Sequence, residues 1–256
     1  MQIRDILEKF AKTEISISEA EKLLRLNAIE EVEDLAKIDV SRQLRKGVPE
    51  IILAEGKLPE HTAKIAVKAL ARNGSVIISR TNDADDKAVR KNLPKGVSIE
   101  KNELARIIVL RKGAKKKTTN GKVGIITAGT SDIAVAEEAK VVLEEMGCRA
   151  LCTYDVGVAG IHRLFPSIKM MIEEDVDVIV AVAGREGAMP TIIAGLVDVP
   201  IIGVPTSVGY GFGAKGIAAL QSMLQACSLG VATVNIDAGV AAGVIAGLIA
   251  KRASKS

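Results

Sequence analysis

Residues 122–154 read KVGIITAGTSDIAVAEEAKVVLEEMGCRALCTY. KVGIIT is a short apolar run and predicts a buried strand. SDIAVAEEAKVVLEEM repeats apolar residues at helical spacing until Gly147, which predicts a helix and its stop. CRALCTY turns back to strand. The alternation continues: a mostly helical stretch from Ile161 to Glu174, a strand VDVIVAVAG (176–184), a helix MPTIIAGLV (189–197) and a strand PIIGVPT (200–206). A helix KGIAALQSMLQACS (215–228), a strand VATVNID (231–237) and a last helix reaching Ala250 complete it. Five β-α units in series predict a parallel, doubly wound sheet. Ligands of such sheets bind beyond the carboxyl ends of the strands, so chemistry is sought in the loops that follow them.

Upstream of this repeat the chain reads differently. The first forty residues predict helices: Ile6, Leu7 and Phe10 recur at helical spacing, and Ser18 stands three before Glu21, a capping-box spacing. IDVSRQL (38–44) and EIILAEG (50–56) predict strands around a Gly47/Pro49 turn. A helix over 59–72 has Pro59 in its first turn and Asn73-Gly74 at its end. SVIIS (75–79), a helix over 82–92 and the strand ARIIVLR (105–111) follow. The basic run RKGAKKKTTNG (111–121) predicts an exposed, solvated linker. Cutting there gives a basic α+β unit, 1–121, and a second unit, 122–256. The first holds 25 Lys+Arg against 18 Asp+Glu and the second 10 against 13, while glycine splits 6 to 17. The two units therefore differ in chemistry as well as in pattern.

Composition removes several classes of function. Of 256 residues 48% are hydrophobic but only 2% aromatic, with no Trp, so the core must be aliphatic. That suits strands buried on both faces and argues against single-strand nucleic-acid binding through rows of stacked bases. Three cysteines make neither a disulfide framework nor a metal-ligand pattern, and a reducing, cytoplasmic setting is expected. The start is a charged amphipathic helix rather than a signal peptide. The longest uncharged apolar stretch, Ala238 to Ala250, would span roughly 20 Å as a helix, short of a bilayer core of about 30 Å. No membrane and no nucleic-acid partner are expected.

The loops after the strands carry the candidates. In AGTSD (128–132), Gly129 permits a tight turn, and Thr130, Ser131 and Asp132 stand where a helix begins, able to cap it or to face an anion. YDVGVAGIHR (154–163) holds Asp155, His162 and Arg163, the last a bidentate partner for phosphate or carboxylate. AGREGAMP (183–190) places Arg185 and Glu186 between Gly184 and Gly187. PTSVGYGFGAKG (205–216) is glycine-rich around Tyr210 and Phe212, includes Lys215, and has the composition of a lid. Cys227 stands before the last strand. A lone cysteine reads first as a small hydrophobe, and a reactive thiolate needs a base or positive charge nearby.

Taken in order, these loops resemble the aminoimidazole ribonucleotide carboxylases of purine biosynthesis. TAGTSD resembles their Gly-Ser-x-Ser-Asp loop, and GREGAMP sits where they have Gly-Ala-Ala-His-Leu-Pro. The resemblance is closer to the synthases of pyridinium-3,5-biscarboxylic acid mononucleotide, which open nickel-pincer nucleotide biosynthesis. It rests on DVSRQLRKGVPEIILAEGK, TAGTSDIAVAEEA, YDVGVAGIHRL, GREGAMPTIIAGLVDVPIIGVPTSVGYG and MLQACSLGVATVNIDAG. The fold it implies is α/β: a flavodoxin-like doubly wound parallel five-stranded sheet with a smaller α+β N-terminal domain.

The activity it implies is carboxylation of the pyridinium ring of nicotinic acid adenine dinucleotide, with phosphoanhydride hydrolysis releasing AMP. Cys227 would be the nucleophile, Glu186 the general base and Asp132 a further catalytic group. Gly129, Thr130, Ser131, Asp155, Arg163, Arg185, Gly187 and Lys215 would bind substrate. Mg²⁺ is implied without assignable ligands, carbon dioxide or bicarbonate is the co-substrate, and a homo-oligomer, an octamer, is expected. One departure stands out: Arg185 occupies the position before the glutamate, where Met is expected. Two other readings remain: an N5-carboxyaminoimidazole ribonucleotide mutase or carboxylase, and a non-catalytic nucleotide-binding regulator.

Overall fold

The computed structural model of the chain describes residues 3–26, 29–32, 36–39, 47–113 and 119–254. It divides into two compact units, Met1–Glu100 with Ile108–Ala114, and Lys101–Ile107 with Lys115–Ser256.

The first unit opens with helices α1 (Ile3–Ala11) and α2 (Ile17–Leu26). The capping box of α2 is formed by Ser16 and Glu19 rather than by Ser18 and Glu21: the Glu19 amide donates to Ser16 Oγ, and the Ser16 amide donates to Glu19 Oε2. Nor are the first forty residues all helical. β1 (Ile29–Val32) and β2 (Ala36–Asp39) pair antiparallel. Strands of four residues are too short to display a period, while Ile29, Val32 and Ile38 carry β-branched preference for extended backbone. Residues 40–44 of the expected strand IDVSRQL lie outside the described residues.

A four-stranded sheet follows, in the order β3 (Glu50–Leu53), β4 (Ser75–Ser79), β6 (Ile107–Lys112), β5 (Val97–Asn102). β3 and β4 run parallel and are joined by α3 (Pro59–Asn73); β4 and β6 run antiparallel. Gly74 ends α3 in the left-handed region at φ 73° and returns its amide to the Leu70 carbonyl. α4 (Asp83–Asn92) starts on a full capping box between Asn82 and Asp85. β5 was not expected. Its run VSIEKN follows a Pro94-Lys95-Gly96 turn and alternates half-buried and exposed, so its apolar content is low. The core is aliphatic, built from Ile52, Ile65, Leu70, Val76, Ile78, Val89, Ile108 and Leu110 with small alanines between.

The second unit is a five-stranded, all-parallel sheet in the order β11 (Val231–Thr233), β10 (Ile201–Pro205), β9 (Val178–Ala183), β7 (Lys122–Thr127), β8 (Arg149–Thr153). This is the flavodoxin-like order, with its switch between β7 and β9. The connecting helices are α5 (Ile133–Glu145), α6 (Leu164–Glu173), α7 (Met189–Ala194) and α8 (Ile217–Leu224), and α9 (Gly239–Ala253) ends the fold. Strands β9 and β10 are buried along their whole length, as helices on both faces require. α8 is shorter than the expected 215–228. Lys215 and Gly216 have φ of 63° and 80°, so the helix starts only at Ile217; it stops at Leu224, leaving Cys227 in the following turn.

α9 lies against α5 through Gly239, Gly243 and Gly247, spaced four apart on one helix face. A Cβ on Gly239 would sit 2.1 Å from the Val135 carbonyl oxygen, and one on Gly243 would sit 2.7 Å from that of Ala139. At Gly247 the obstacle is the flexible end of Met146. Gly239→Ala and Gly243→Ala are therefore expected to destabilise the second unit by about 2–3 kcal/mol each. Gly247→Ala should cost less, because a thioether can move. Thermal melting of the three variants checks this ranking.

Candidate functional site

The carboxyl ends of β7, β9 and β10 meet at a cleft of about 640 Å³, within the range of small-molecule sites. Three close backbone approaches shape it. A Cβ on Gly157 would lie 2.5 Å from the Ala128 carbonyl oxygen, pinning the second loop to the first. One on Gly184 would lie 2.5 Å from the Val208 carbonyl oxygen and 2.7 Å from Thr206 Oγ1, so the third and fourth loops touch main chain to main chain. Gly187, at φ 63°, would meet Ala219 of α8 at 2.7 Å.

Asp132 lines the cleft as a buried carboxylate, at 3% exposure. Its Oδ2 accepts the Gly129 amide at 2.9 Å and its Oδ1 accepts the Thr206 hydroxyl at 2.7 Å. It makes no side-chain cap for α5; the carboxylate instead ties the first loop to the fourth. Burial pushes its pKa above the usual carboxylate value. The Thr206 hydroxyl and the Gly129 and Gly184 amides oppose that shift, and the charge of Asp237 adds to it. The folded protein thus binds this proton more tightly than the unfolded chain, and the ionised group costs stability as pH rises through the folded value.

Gly129, Ser131, Asp132, Arg185 and Glu186 line the cleft, with Gly157–Ala159 and Val208–Tyr210. Arg185 and Glu186 are exposed at its mouth, and the Arg185 guanidinium lies 4.4 Å above the Tyr210 ring centroid. Thr130, Asp155, Arg163, Gly187 and Lys215 do not line it. Asp155 and Arg163 engage each other one loop away: Arg163 Nη1 donates to the Asp155 carbonyl at 2.9 Å and lies 3.4 Å from its carboxylate. Lys215 is exposed on the fourth loop.

Cys227 lies elsewhere. It is exposed, and Gly230, three residues on, accepts the amide of Ile201, the first residue of β10. This is the amino edge of the sheet. The cleft stands at the other end, and five strand residues separate the two edges by roughly 15 Å. Within one chain the thiol and the cleft do not meet.

The second loop is held by a group with no counterpart in the sequence reading. Tyr154, just before Asp155, donates its hydroxyl to Glu137 on α5. Glu137 also accepts Asn102 Nδ2 at 2.7 Å, Asn102 clustering with the second unit, and pairs with Lys140 at 3.2 Å. Burial acts to raise the Glu137 pKa, but these donors together outweigh it and hold the carboxyl below its usual 4.5. The stabilisation from ionised Glu137 is thus full above pH 4.5 and lost as pH falls through the lower, folded value. Glu137→Gln is expected to lower the melting temperature at neutral pH, with the gap to the parent narrowing below pH 4.5.

Two further site residues escaped the sequence reading. Thr206, fully buried, donates to Asp132, and Asp237 accepts the Ser207 amide at 2.8 Å, fixing the base of the fourth loop. The available signal was position: each follows a strand whose neighbours already bore candidates. Among the described residues no three His, Cys, Asp or Glu gather into a metal site. No helix among the described residues is long and apolar enough to cross a membrane.

The topology places the second unit among doubly wound α/β domains of the flavodoxin type, and its cleft lies at the strand switch point. Residues 122–256 match the AIR carboxylase family model, and the chain belongs to that family. Residues 29–112 match the LarB/PurE-like N-terminal domain. An uncharacterized protein of Methanocaldococcus jannaschii is 48% identical over 251 residues, covering 97% of each chain. The N5-carboxyaminoimidazole ribonucleotide mutase of Pyrococcus horikoshii is 36% identical over 126 residues, 47% of this chain and 67% of that one. The phosphoribosylaminoimidazole carboxylase of Schizosaccharomyces pombe is 25% identical over 171 residues, covering 65% of this chain and 30% of its own. These findings support a member of the carboxylase and mutase group.

Proposed function

We propose that the protein carboxylates the pyridinium ring of nicotinic acid adenine dinucleotide and hydrolyses the phosphoanhydride, giving pyridinium-3,5-biscarboxylic acid mononucleotide and AMP. The observation that carries this reading is the make-up of the cleft wall. It offers two carboxylates, Asp132 and Glu186, and a guanidinium, Arg185, but no imidazole. Of the chain's two histidines, His61 lies on α3 of the first unit and His162 is exposed outside the cleft. The purine-pathway loop that GREGAMP resembles has a histidine; here acid-base work falls to carboxylates. The match of residues 29–112 to the LarB/PurE-like N-terminal domain supports the same reading.

The chemistry follows from the ring. A pyridinium is electron-poor and cannot attack carbon dioxide. Addition of a thiolate to a ring carbon cancels the positive charge and leaves an enamine-like dihydropyridine. Its nucleophilic carbon bonds to carbon dioxide, supplied as such or from bicarbonate. Glu186 accepts the proton from that carbon, and the thiolate leaves with its bonding pair as aromaticity returns. Asp132, whose carboxyl burial shifts toward its protonated form, is the hydrogen-bonding group at the buried end of the cleft. Arg185 faces the substrate's anionic groups at the mouth, and Arg163 and Lys215 add positive charge beyond it. Mg²⁺ would come with the pyrophosphate, since such ions are held largely by substrate phosphates.

Cys227 supplies the thiolate to the cleft of a neighbouring copy. Its place on the opposite sheet edge supports this, as do Leu224 and Leu229, 65% and 92% exposed, which flank it with apolar surface suited to a subunit contact. A homo-oligomer thus becomes part of the site.

The second reading, N5-carboxyaminoimidazole ribonucleotide mutase, is favoured by the similarity to the Pyrococcus horikoshii mutase over the second unit. Parallel incubations with the dinucleotide plus bicarbonate, and with the aminoimidazole ribonucleotide, separate the two. Turnover of the dinucleotide alone is expected; turnover of the ribonucleotide alone would select the mutase.

A further inference from the structure

The chain has only five aromatic residues. Two of them, Tyr210 and Phe212, stand on the single glycine-rich loop at the mouth of the cleft, 78% and 108% exposed. Leaving a large apolar side chain in water forgoes about 1.5–3 kcal/mol of burial. The other three aromatics, Phe10, Tyr154 and Phe165, are all more covered.

The loop that carries the pair is anchored. The Val208 carbonyl packs on Gly184, and a Cβ on Gly209 or Gly213 would be within 3.8 Å of the Arg185 main chain. Left-handed backbone at Gly211, Lys215 and Gly216 turns the chain tightly, and Gly216 closes on the Thr206 carbonyl at the base of the loop. The Arg185 guanidinium, 4.4 Å from the Tyr210 centroid, covers one face of that ring. The result is an aromatic ring on the cleft wall, Tyr210, with a cation over one face, and a second open ring, Phe212, two residues on.

A planar base with a phosphate attached meets both features. Its ring stacks on an open aromatic face, and its phosphate meets the guanidinium. We infer that Tyr210 and Phe212 form a stacking platform for the purine base of an adenine nucleotide, with Arg185 holding the ring of Tyr210 in place and receiving the phosphate. The inference rests on the dinucleotide reading above and assigns its second half: the pyridinium ring enters toward Asp132 and Glu186, and the adenine remains at the mouth on the fourth loop. It also gives Arg185, the departure from the expected Met, a defined task.

The test uses binding, which needs no turnover. Calorimetric titration of the full chain with AMP, with nicotinic acid adenine dinucleotide and with nicotinic acid mononucleotide compares the parent with Tyr210→Leu, Phe212→Leu and Tyr210→Phe. Circular dichroism checks that each variant is folded. Both Leu variants are expected to weaken AMP and dinucleotide binding about ten-fold or more. They should leave the mononucleotide within about two-fold, while Tyr210→Phe, which keeps the ring face, stays near the parent. In a chain without Trp, AMP should also quench tyrosine emission in the parent but not in Tyr210→Leu. Equal AMP affinity in parent and Leu variants overturns the platform and leaves the proposed carboxylation standing. So does a change of oligomeric state in Phe212→Leu with AMP binding intact, which would make the aromatics a subunit contact. Absence of AMP binding to the parent overturns the platform as well. Platform-dependent AMP binding in a protein that never carboxylates the dinucleotide would retain the platform and remove the proposed reaction.

Discussion

Cys227→Ala is expected to abolish carboxylation of nicotinic acid adenine dinucleotide, a loss on the order of a thousand-fold or more in turnover, with the fold unchanged. The loss should be this large because no other group can supply the electron pair that makes the ring nucleophilic. The remaining cysteines, Cys148 and Cys152, are buried and half-buried, and burial pushes both thiols up and away from thiolate. The fold should survive because Cys227 is exposed and outside both helix and strand. Circular dichroism and a carboxylation assay on the same sample check both halves.

The position of Cys227 sharpens this expectation. If the thiol serves a neighbouring cleft, two inactive variants can repair each other. Cys227→Ala subunits mixed with Asp132→Asn subunits under exchanging conditions should regain up to about a quarter of parental activity, since some contacts then pair an intact thiol with an intact cleft. Mixtures that stay silent although the subunits exchange would contradict a shared site.

Asp132→Asn carries the second large effect, about a hundred-fold or more in kcat/KM. The two oxygens of Asp132 accept from two different loops, the Gly129 amide and the Thr206 hydroxyl. An asparagine can present only one oxygen; its amide nitrogen would face a donor, and one clamp opens. Burial favours the protonated form of this carboxyl, and the variant has no titrating proton at all. Any limb of the pH profile that belongs to Asp132 lies above its ordinary 3.8 and should vanish in the variant. Unchanged kcat/KM, with the pH profile intact, would remove Asp132 from the chemistry.

The parallel sheet was legible because its strands are apolar runs and its helices keep a clear period. Element ends were less so. Nothing in the side-chain pattern of KGIAALQSMLQACS marks Lys215 and Gly216 as left-handed or shows the helix stopping at Leu224; backbone torsion decides both. The pairing of β1 with β2, and strand β5, were hidden by shortness and low apolar content. At the site, sequence brought out AGTSD and GREGAMP because strand-end loops converge in this topology. It could not bring out Thr206, which meets Asp132 from 74 residues away. Cys227 teaches the reverse lesson. A residue between a helix and the next parallel strand belongs to the amino edge, so its distance from the cleft was implicit in the alternation itself, while its role came from resemblance.

The most direct measurement is mass spectrometry of the products from nicotinic acid adenine dinucleotide, carbon-13-labelled bicarbonate and Mg²⁺. The expected result is a pyridinium mononucleotide bearing one labelled carboxyl group, with AMP in equal amount. Unchanged dinucleotide, from protein that under matched conditions converts the aminoimidazole ribonucleotide, would contradict the proposed function.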